Sequence, residues 1–361
     1  MRIPTAGGGI EARDTYAGRA GCTDWPRPLG AVPDWLGGGN VPGVSARVRW
    51  GLVFGFCIGA GVAVQGRING ALGARLHDGI AAATVSFGSG LLVLLIAFAV
   101  RGSLRDGAER VRRAVSTGAL RPWHLLGGLC GAFFVACQGL TVAAIGVTAF
   151  TVAVVSGQLL SSLVVDRLGV APSGRTPVTA MRFGGAALGA LAVLIAGWER
   201  TATPGGALAV PEALRGAPTA LLIVLPALAG IGLAWQQAVN GRIGEVGGPL
   251  SATLVNFCVG LVALVVIEAV VLFWSGLPTE FPTQPWLYLG GLIGIAFIAL
   301  AAGTVGRIGV LLLGLTSVAG QLVTSIVLDA LTPTSAGLSL TAVIGSALTL
   351  LAVAIAARSH P

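Results

Sequence analysis

Ten apolar runs follow one another along this chain, at roughly 49–68, 80–100, 122–143, 147–167, 179–198, 219–240, 250–275, 285–305, 308–330 and 338–357. A run of about 20 residues with few or no charges is long enough to cross the hydrocarbon core of a bilayer as a helix. Backbone in lipid has to satisfy its own polar groups, so such a series restricts the chain to an all-α integral membrane protein. Composition agrees. Hydrophobic residues make up 55% and charged residues 10%, where a soluble domain carries roughly a quarter of its residues as charges. The 56 glycines suit helix packing in lipid, where small residues let backbones approach.

The net charge of +8 is carried by Arg alone, because the sequence contains no Lys. That absence excludes a Walker A phosphate loop, whose lysine reaches the nucleotide phosphates, and with it ATP-driven transport by this chain alone. It also excludes a lysine Schiff base and a Ser–Lys nucleophile pair. The arginines sit mostly in short loops between apolar runs, which reads as an orientation signal and not as a nucleic-acid surface. Outside the first 46 residues, fourteen arginines fall on one side of the expected membrane and four (Arg67, Arg75, Arg200 and Arg215) on the other. With ten spans, both termini are then expected on the cytoplasmic side of a bacterial inner membrane. Cys22, Cys57, Cys130, Cys137 and Cys258 show no CxxC spacing, and His77, His124 and His360 are scattered. No metal site, cofactor or catalytic residue is expected from that pattern.

Residues 1–46 are rich in Gly, Pro and charge and lack helical periodicity, so a disordered tail is expected there. They also lack the apolar core of a signal peptide, and a coding start nearer Arg47–Arg49 would fit the abrupt change in composition. The polar stretch 199–217 reads as a linker between two halves, 47–198 and 218–358.

Those halves are related. Residues 122–168 align with 285–331 without a gap, at an offset of 163. The match pairs Pro122–Trp123 with Pro285–Trp286, Gly127–Gly128 with Gly290–Gly291, Gly157–Gln158 with Gly320–Gln321, and Asp166 with Asp329. Earlier in each half, Gly61, Gln65, Asn69 and Gly73 correspond to Gly232, Gln236, Asn240 and Gly244, and Val85, Phe87 and Gly90 to Val255, Phe257 and Gly260. Five spans per half is an odd number, so the second copy enters the membrane from the opposite side. The loop between spans two and three carries six Arg and its counterpart none, which is the reversed charge bias of an inverted repeat. The expectation is ten transmembrane helices as two inverted five-helix repeats, an architecture found mostly in transporters.

Two copies of a five-span unit, each opening with G-x3-Q-x3-N-G and carrying G-Q-x2-[ST]-S in its fourth span, resemble the drug/metabolite transporter superfamily. Within it the likeness is to a bacterial family of inner membrane exporters with two fused five-helix repeats. The resemblance covers roughly 49–357 and implies a central cavity between the halves and efflux or exchange of a small-molecule solute. Compact multidrug members of the superfamily use a membrane-embedded Glu in their first helix for proton coupling. Span one here, Gly51 to Arg67, contains no acid, and proton antiport by that route is not expected.

Gln158 and Gln321 are equivalent and each falls near the middle of its span. A primary amide offers two donors and an acceptor, so it can bind a polar ligand without burying charge; it can equally bond a neighbouring helix. Gln65 with Asn69, and Gln236 with Asn240, are spaced i, i+4 and share a helix face. They either line opposite mouths of one pathway, or the Asn–Gly pairs end their helices and the Gln bonds a neighbour. Gln138 and Asn256 break the symmetry, standing where the other half has Ala301 and Ser86; they are candidate solute contacts or interior packing. Glu268 is the one carboxylate well inside a span, and it is either a proton carrier or an interfacial acid. Asp166 and Asp329 sit at helix ends, where boundary roles are expected. The glycine pairs Gly127/Gly131, Gly185/Gly189 and Gly290/Gly294, and the Gly51/Gly55/Gly59 ridge, read as packing surfaces. The function expected is secondary transport, as an exporter, of a small polar or amphipathic solute by alternating access. The alternatives are a membrane scaffold or an intramembrane enzyme, for which no paired nucleophile and base is spaced. A homodimer is left open.

Overall fold

A computed structural model describes residues 46–170, 174–175, 177–202, 219–275, 281–331 and 339–357. The expected tail up to residue 45 and linker residues 203–217 lie outside the described residues. All regular structure among the described residues is helical: α1 (Ala46–Leu76), α2 (Gly79–Val100), α3 (Gly102–Ser116), α4 (Gly127–Leu168), α5 (Ala180–Ala202), α6 (Thr219–Gly247), α7 (Pro249–Ser275), α8 (Gly290–Leu331) and α9 (Leu340–Ala357). Short 3-10 turns at Pro122–Leu126 and Pro285–Tyr288 lead into α4 and α8. Among the described residues six helical stretches are long and apolar enough to cross a membrane, and α5 and α9 contain shorter apolar helices.

Two of these helices are hairpins. Gly146 in α4 adopts φ 82° and ψ 161°, a conformation open almost only to glycine, and it divides α4 into arms 127–145 and 147–168. The rings of Phe134 and Phe150 are 5.8 Å apart, whereas sixteen residues of straight helix would separate them by about 24 Å. The second arm begins with its backbone N–H groups unsatisfied, as any helix does. Asp329, at the far end of α8, supplies the acceptors: Val147 N donates to Oδ1 at 3.0 Å and Thr148 N to Oδ2 at 2.8 Å. This carboxylate is only 2% exposed. It caps a helix distant in sequence from its own. In α8, residues Ile293 and Phe297 lie against Gly61 while Ser317 and Gln321 lie against Gly59. A straight helix would hold those two sets about 36 Å apart, so α8 reverses too. Counting each arm, the described residues form ten apolar helices, in agreement with the number of apolar runs.

Local chemistry explains the turns between them. The Asp78 side chain accepts from Ile80 N (2.8 Å) and Ala81 N (3.0 Å), capping α2 and allowing a two-residue connection after α1. At the end of α4, Gly169 takes a left-handed conformation (φ 69°), and Arg242 of α6 donates to the carbonyls of Val170 and Gly169 at 3.0 and 3.1 Å. Asp166 pairs with Arg182 of α5, so the two aspartates that correspond in sequence do different work.

α3 has no counterpart among the apolar runs; the sequence reads there as a loop. Its Leu104, Gly107, Val111 and Ala114 are buried and recur at helical spacing, so one face packs on the α6–α7 turn through Ile243 and Ala252. Arg110 donates to Val246 O (3.0 Å) and Gly247 O (3.4 Å), satisfying carbonyls at the end of α6. On the solvent side Arg112 and Arg113 hold the Glu109 carboxylate at 2.8 and 3.1 Å and lower its pKa to about 2. Because the folded value lies below the ordinary one, this clasp is at full strength above the ordinary carboxylate range. It is lost as pH falls through about 2.

The hairpin account predicts that Gly146→Ala is disruptive. A Cβ there would meet Asp329 Oδ2 at 2.9 Å, and the backbone strain alone costs about 1–3 kcal/mol. Thermal unfolding of the purified protein should show a clear loss of Tm. An unchanged Tm would contradict the turn geometry.

Candidate functional site

The polar side chains inside the bundle gather in two clusters. In the first, Gln65 Nε2 of α1 donates to Gly290 O of α8 at 2.9 Å, and Asn69 Nδ2 donates to Gln138 Oε1 of α4 at 2.7 Å. In the second, Gln236 Nε2 and Asn240 Nδ2 of α6 both donate to Asn256 Oδ1 of α7, at 2.7 and 3.2 Å. Asn69 and Gln138 are fully buried, and Gln65, Gln236 and Asn256 are nearly so. The Asn–Gly pairs do not end their helices, because α1 continues to Leu76 and α6 to Gly247.

Each cluster fits into a pair of glycines. Gly290 and Gly294 of α8 abut Asn69 and Gln65, and Gly127 and Gly131 of α4 abut Asn240 and Gln236. A methyl group on Gly294 would stand 2.8 Å from Gln65 Nε2, and one on Gly131 would stand 2.6 Å from Gln236 Nε2. The i, i+4 amides of one helix therefore sit over the i, i+4 glycines of another. This sharpens the expectation of glycine packing surfaces: these two pairs make room for amide side chains.

The hydrogen bonding is incomplete. Gln65 Oε1, Asn69 Oδ1, Gln138 Nε2 and Gln236 Oε1 are buried without a partner, and an unpaired buried polar atom costs on the order of 1–3 kcal/mol. A cavity of about 10 Å³ lies beside Gly66 of α1, room for roughly one water. It is bounded by Val62 and Gly66 of α1, Phe134 and Thr151 of α4, and Gln321 of α8.

Residues 50–195 and 221–355 match a family described as "Putative inner membrane exporter, YdcZ", of the DMT type. The chain belongs to that family. It is thus a multi-pass inner membrane protein and a transporter of the exporter kind, in contact with a lipid bilayer and a small-molecule solute. One solved chain, described only as a crystal structure of protein, is 20% identical, covers 86% of this exporter and 97% of its own length, and has a TM-score of 0.48. No curated protein matches.

The structure brings six of the expected residues into the two clusters: Gln65, Asn69 and Gln138 in one, Gln236, Asn240 and Asn256 in the other. Gln138 accepts from Asn69, and Asn256 accepts from Gln236 and Asn240. Gln321 lines this small cavity, on the stretch of α8 against Gly59, and Gln158 lies on the stretch of α4 against Gly230. Glu268 lies outside both clusters. Its carboxylate is buried with Oε2 unpartnered. The sequence reading missed the capping role of Asp329. Its signal was present: a symmetric aspartate whose counterpart, Asp166, has an arginine sixteen residues on, while Asp329 has none within the same reach.

Asn69→Leu alone leaves the Gln138 amide unpaired and should lower stability by about 1 kcal/mol. Adding Gln138→Leu removes the stranded group and should recover most of that loss. A double-variant Tm no higher than that of Asn69→Leu would mean the two amides are not coupled.

Proposed function

We propose that this exporter is a secondary transporter that moves a small polar solute by alternating access between two inverted five-helix repeats, 47–198 and 218–358, with both termini cytoplasmic. The observation that carries this reading is the set of unpaired amide atoms in the two clusters. A scaffold would gain by replacing them with apolar side chains. A solute with hydrogen-bond donors and acceptors would satisfy them when it passes, and an uncharged amide asks no charge of the membrane interior.

Reciprocal contacts support the inverted arrangement. Gly59 abuts Ser317 and Gln321 where Gly230 abuts Val154 and Gln158, and these are equivalent positions under the sequence repeat. The equivalent rings of Phe87 and Phe257 lie against each other at 4.8 Å, as two residues on a pseudo-two-fold axis would. On this reading Gln65/Asn69 and Gln236/Asn240 stand towards opposite mouths, and Gln321, with its counterpart Gln158, contacts the solute between them. Without a nucleotide motif the energy comes from an ion or solute gradient, and on this reading Glu268, buried in α7 and outside both clusters, carries the proton if the ion is a proton.

Purified protein in liposomes, offered a panel of polar solutes, should move one of them. Asn69→Leu with Gln138→Leu keeps the fold but removes the amides, so flux should fall about tenfold; Gln321→Ala should do the same. Undiminished flux in both variants would assign the amides to helix packing alone. If a pH gradient drives flux in Glu268→Gln as well as in the parent, Glu268 is not the carrier.

A further inference from the structure

Asp329 and Asp166 hold equivalent positions in the repeat but are put to different uses. Both oxygens of Asp329 are taken by backbone N–H groups that open the second α4 arm, Val147 on Oδ1 and Thr148 on Oδ2. Asp166 instead accepts from the Arg182 guanidinium through Oδ2, and Nη1 of that arginine is buried without a partner. The turn that Asp329 caps has an equivalent too. At the repeat offset of 163, Gly146, Val147 and Thr148 become Gly309, Val310 and Leu311, in the other helix that reverses.

The hairpins fix the ends of the bundle at which these groups lie. α4 turns at Gly146 and returns, so Asp166 stands at the end away from Gly146. α8 finishes beside Gly146, because Asp329 bonds there, so its own reversal lies at the end where Asp166 stands. Each aspartate therefore closes one hairpin at the level where the other hairpin turns. The arms concerned also share a wall: Phe150, Thr151 and Val154 of the second α4 arm line the same small cavity as Gln321 of α8.

We propose that the two aspartates are alternating latches, positioning residues for transport. Asp329 clamps the Gly146 turn and shuts that end of the bundle, the state seen here. When that end opens, Asp329 lets go, and Asp166 accepts from the N–H groups of Val310 and Leu311 to shut the other. A carboxylate has about four acceptor sites, so Asp166 takes these donors without giving up Arg182. Water entering the opened end solvates the released N–H groups, which keeps the exchange of caps close to balanced. The proposal rests on the alternating-access reading and adds to it the contacts that shut each end.

Hydrogen exchange on the full chain in lipid nanodiscs, read by mass spectrometry on peptides covering 146–150 and 309–313, follows both caps at once. Asp329→Asn keeps the shape but turns one acceptor into a donor. Exchange at 146–150 should rise about tenfold and exchange at 309–313 should fall. Asp166→Asn should do the reverse, and the double variant should bring the ratio of the two back towards that of the parent. A static cap shows no such reciprocity. If Asp329→Asn speeds exchange at 146–150 and leaves 309–313 unchanged, the latches are overturned. Should that variant fail to fold, Asp166→Asn decides alone: slower exchange at 146–150 supports the latches and unchanged exchange refutes them. Liposome flux by the parent is read separately. Flux without reciprocal exchange rejects the latches and leaves alternating access standing, whereas a parent that moves no solute rejects the transport reading itself.

Discussion

The structure depends on amides set over glycines. In water a buried glutamine is a modest asset, but in lipid its polar atoms must find protein partners. Gln65 and Asn69 reach α8 and α4 only because Gly290 and Gly294 carry no side chains at the crossing; Gln236 and Asn240 approach α4 over Gly127 and Gly131 in the same way. The approach is close where these polar atoms sit, so shape and hydrogen bonding act together there. Close backbone approach also explains why α1 packs mainly on α8 and α4 mainly on α6.

The two clusters are similar but not equal. In the first the third amide, Gln138, comes from α4; in the second, Asn256 comes from α7. Two donors converge on Asn256 Oδ1, whereas Gln138 receives one. Three unpaired atoms remain in the first cluster and one, Gln236 Oε1, in the second. The first cluster is therefore the less satisfied. The aspartates differ likewise, with Asp166 neutralised by Arg182 and Asp329 holding two backbone N–H groups at the α4 reversal.

Most of the architecture was legible in the sequence because lipid imposes a simple rule: length and apolarity decide what crosses. The break between the third and fourth runs fell at Gly146, where the α4 hairpin turns. The paired amides were legible from the repeat, but their partners were not. An i, i+4 spacing says which residues share a face, not which helix meets that face, so the glycine pairs read as general packing surfaces. α3 went unseen because its apolar residues are few and surrounded by arginines, and hydropathy reports such a helix as a loop. Asp329 reads as a helix-end acid for the same reason: the helix it caps begins 182 residues earlier.

The central claim is that amide and glycine are one interlocked unit, and a double-variant cycle on Gly294 and Gln65 tests it most directly. Thermal unfolding of purified protein should show Gly294→Ala destabilising by about 1–3 kcal/mol, because the new methyl displaces the Gln65 amide from Gly290 O. Adding Gln65→Ala should make the double variant more stable than the sum of the single losses predicts, by about 0.5 kcal/mol or more. Strictly additive losses would contradict the account.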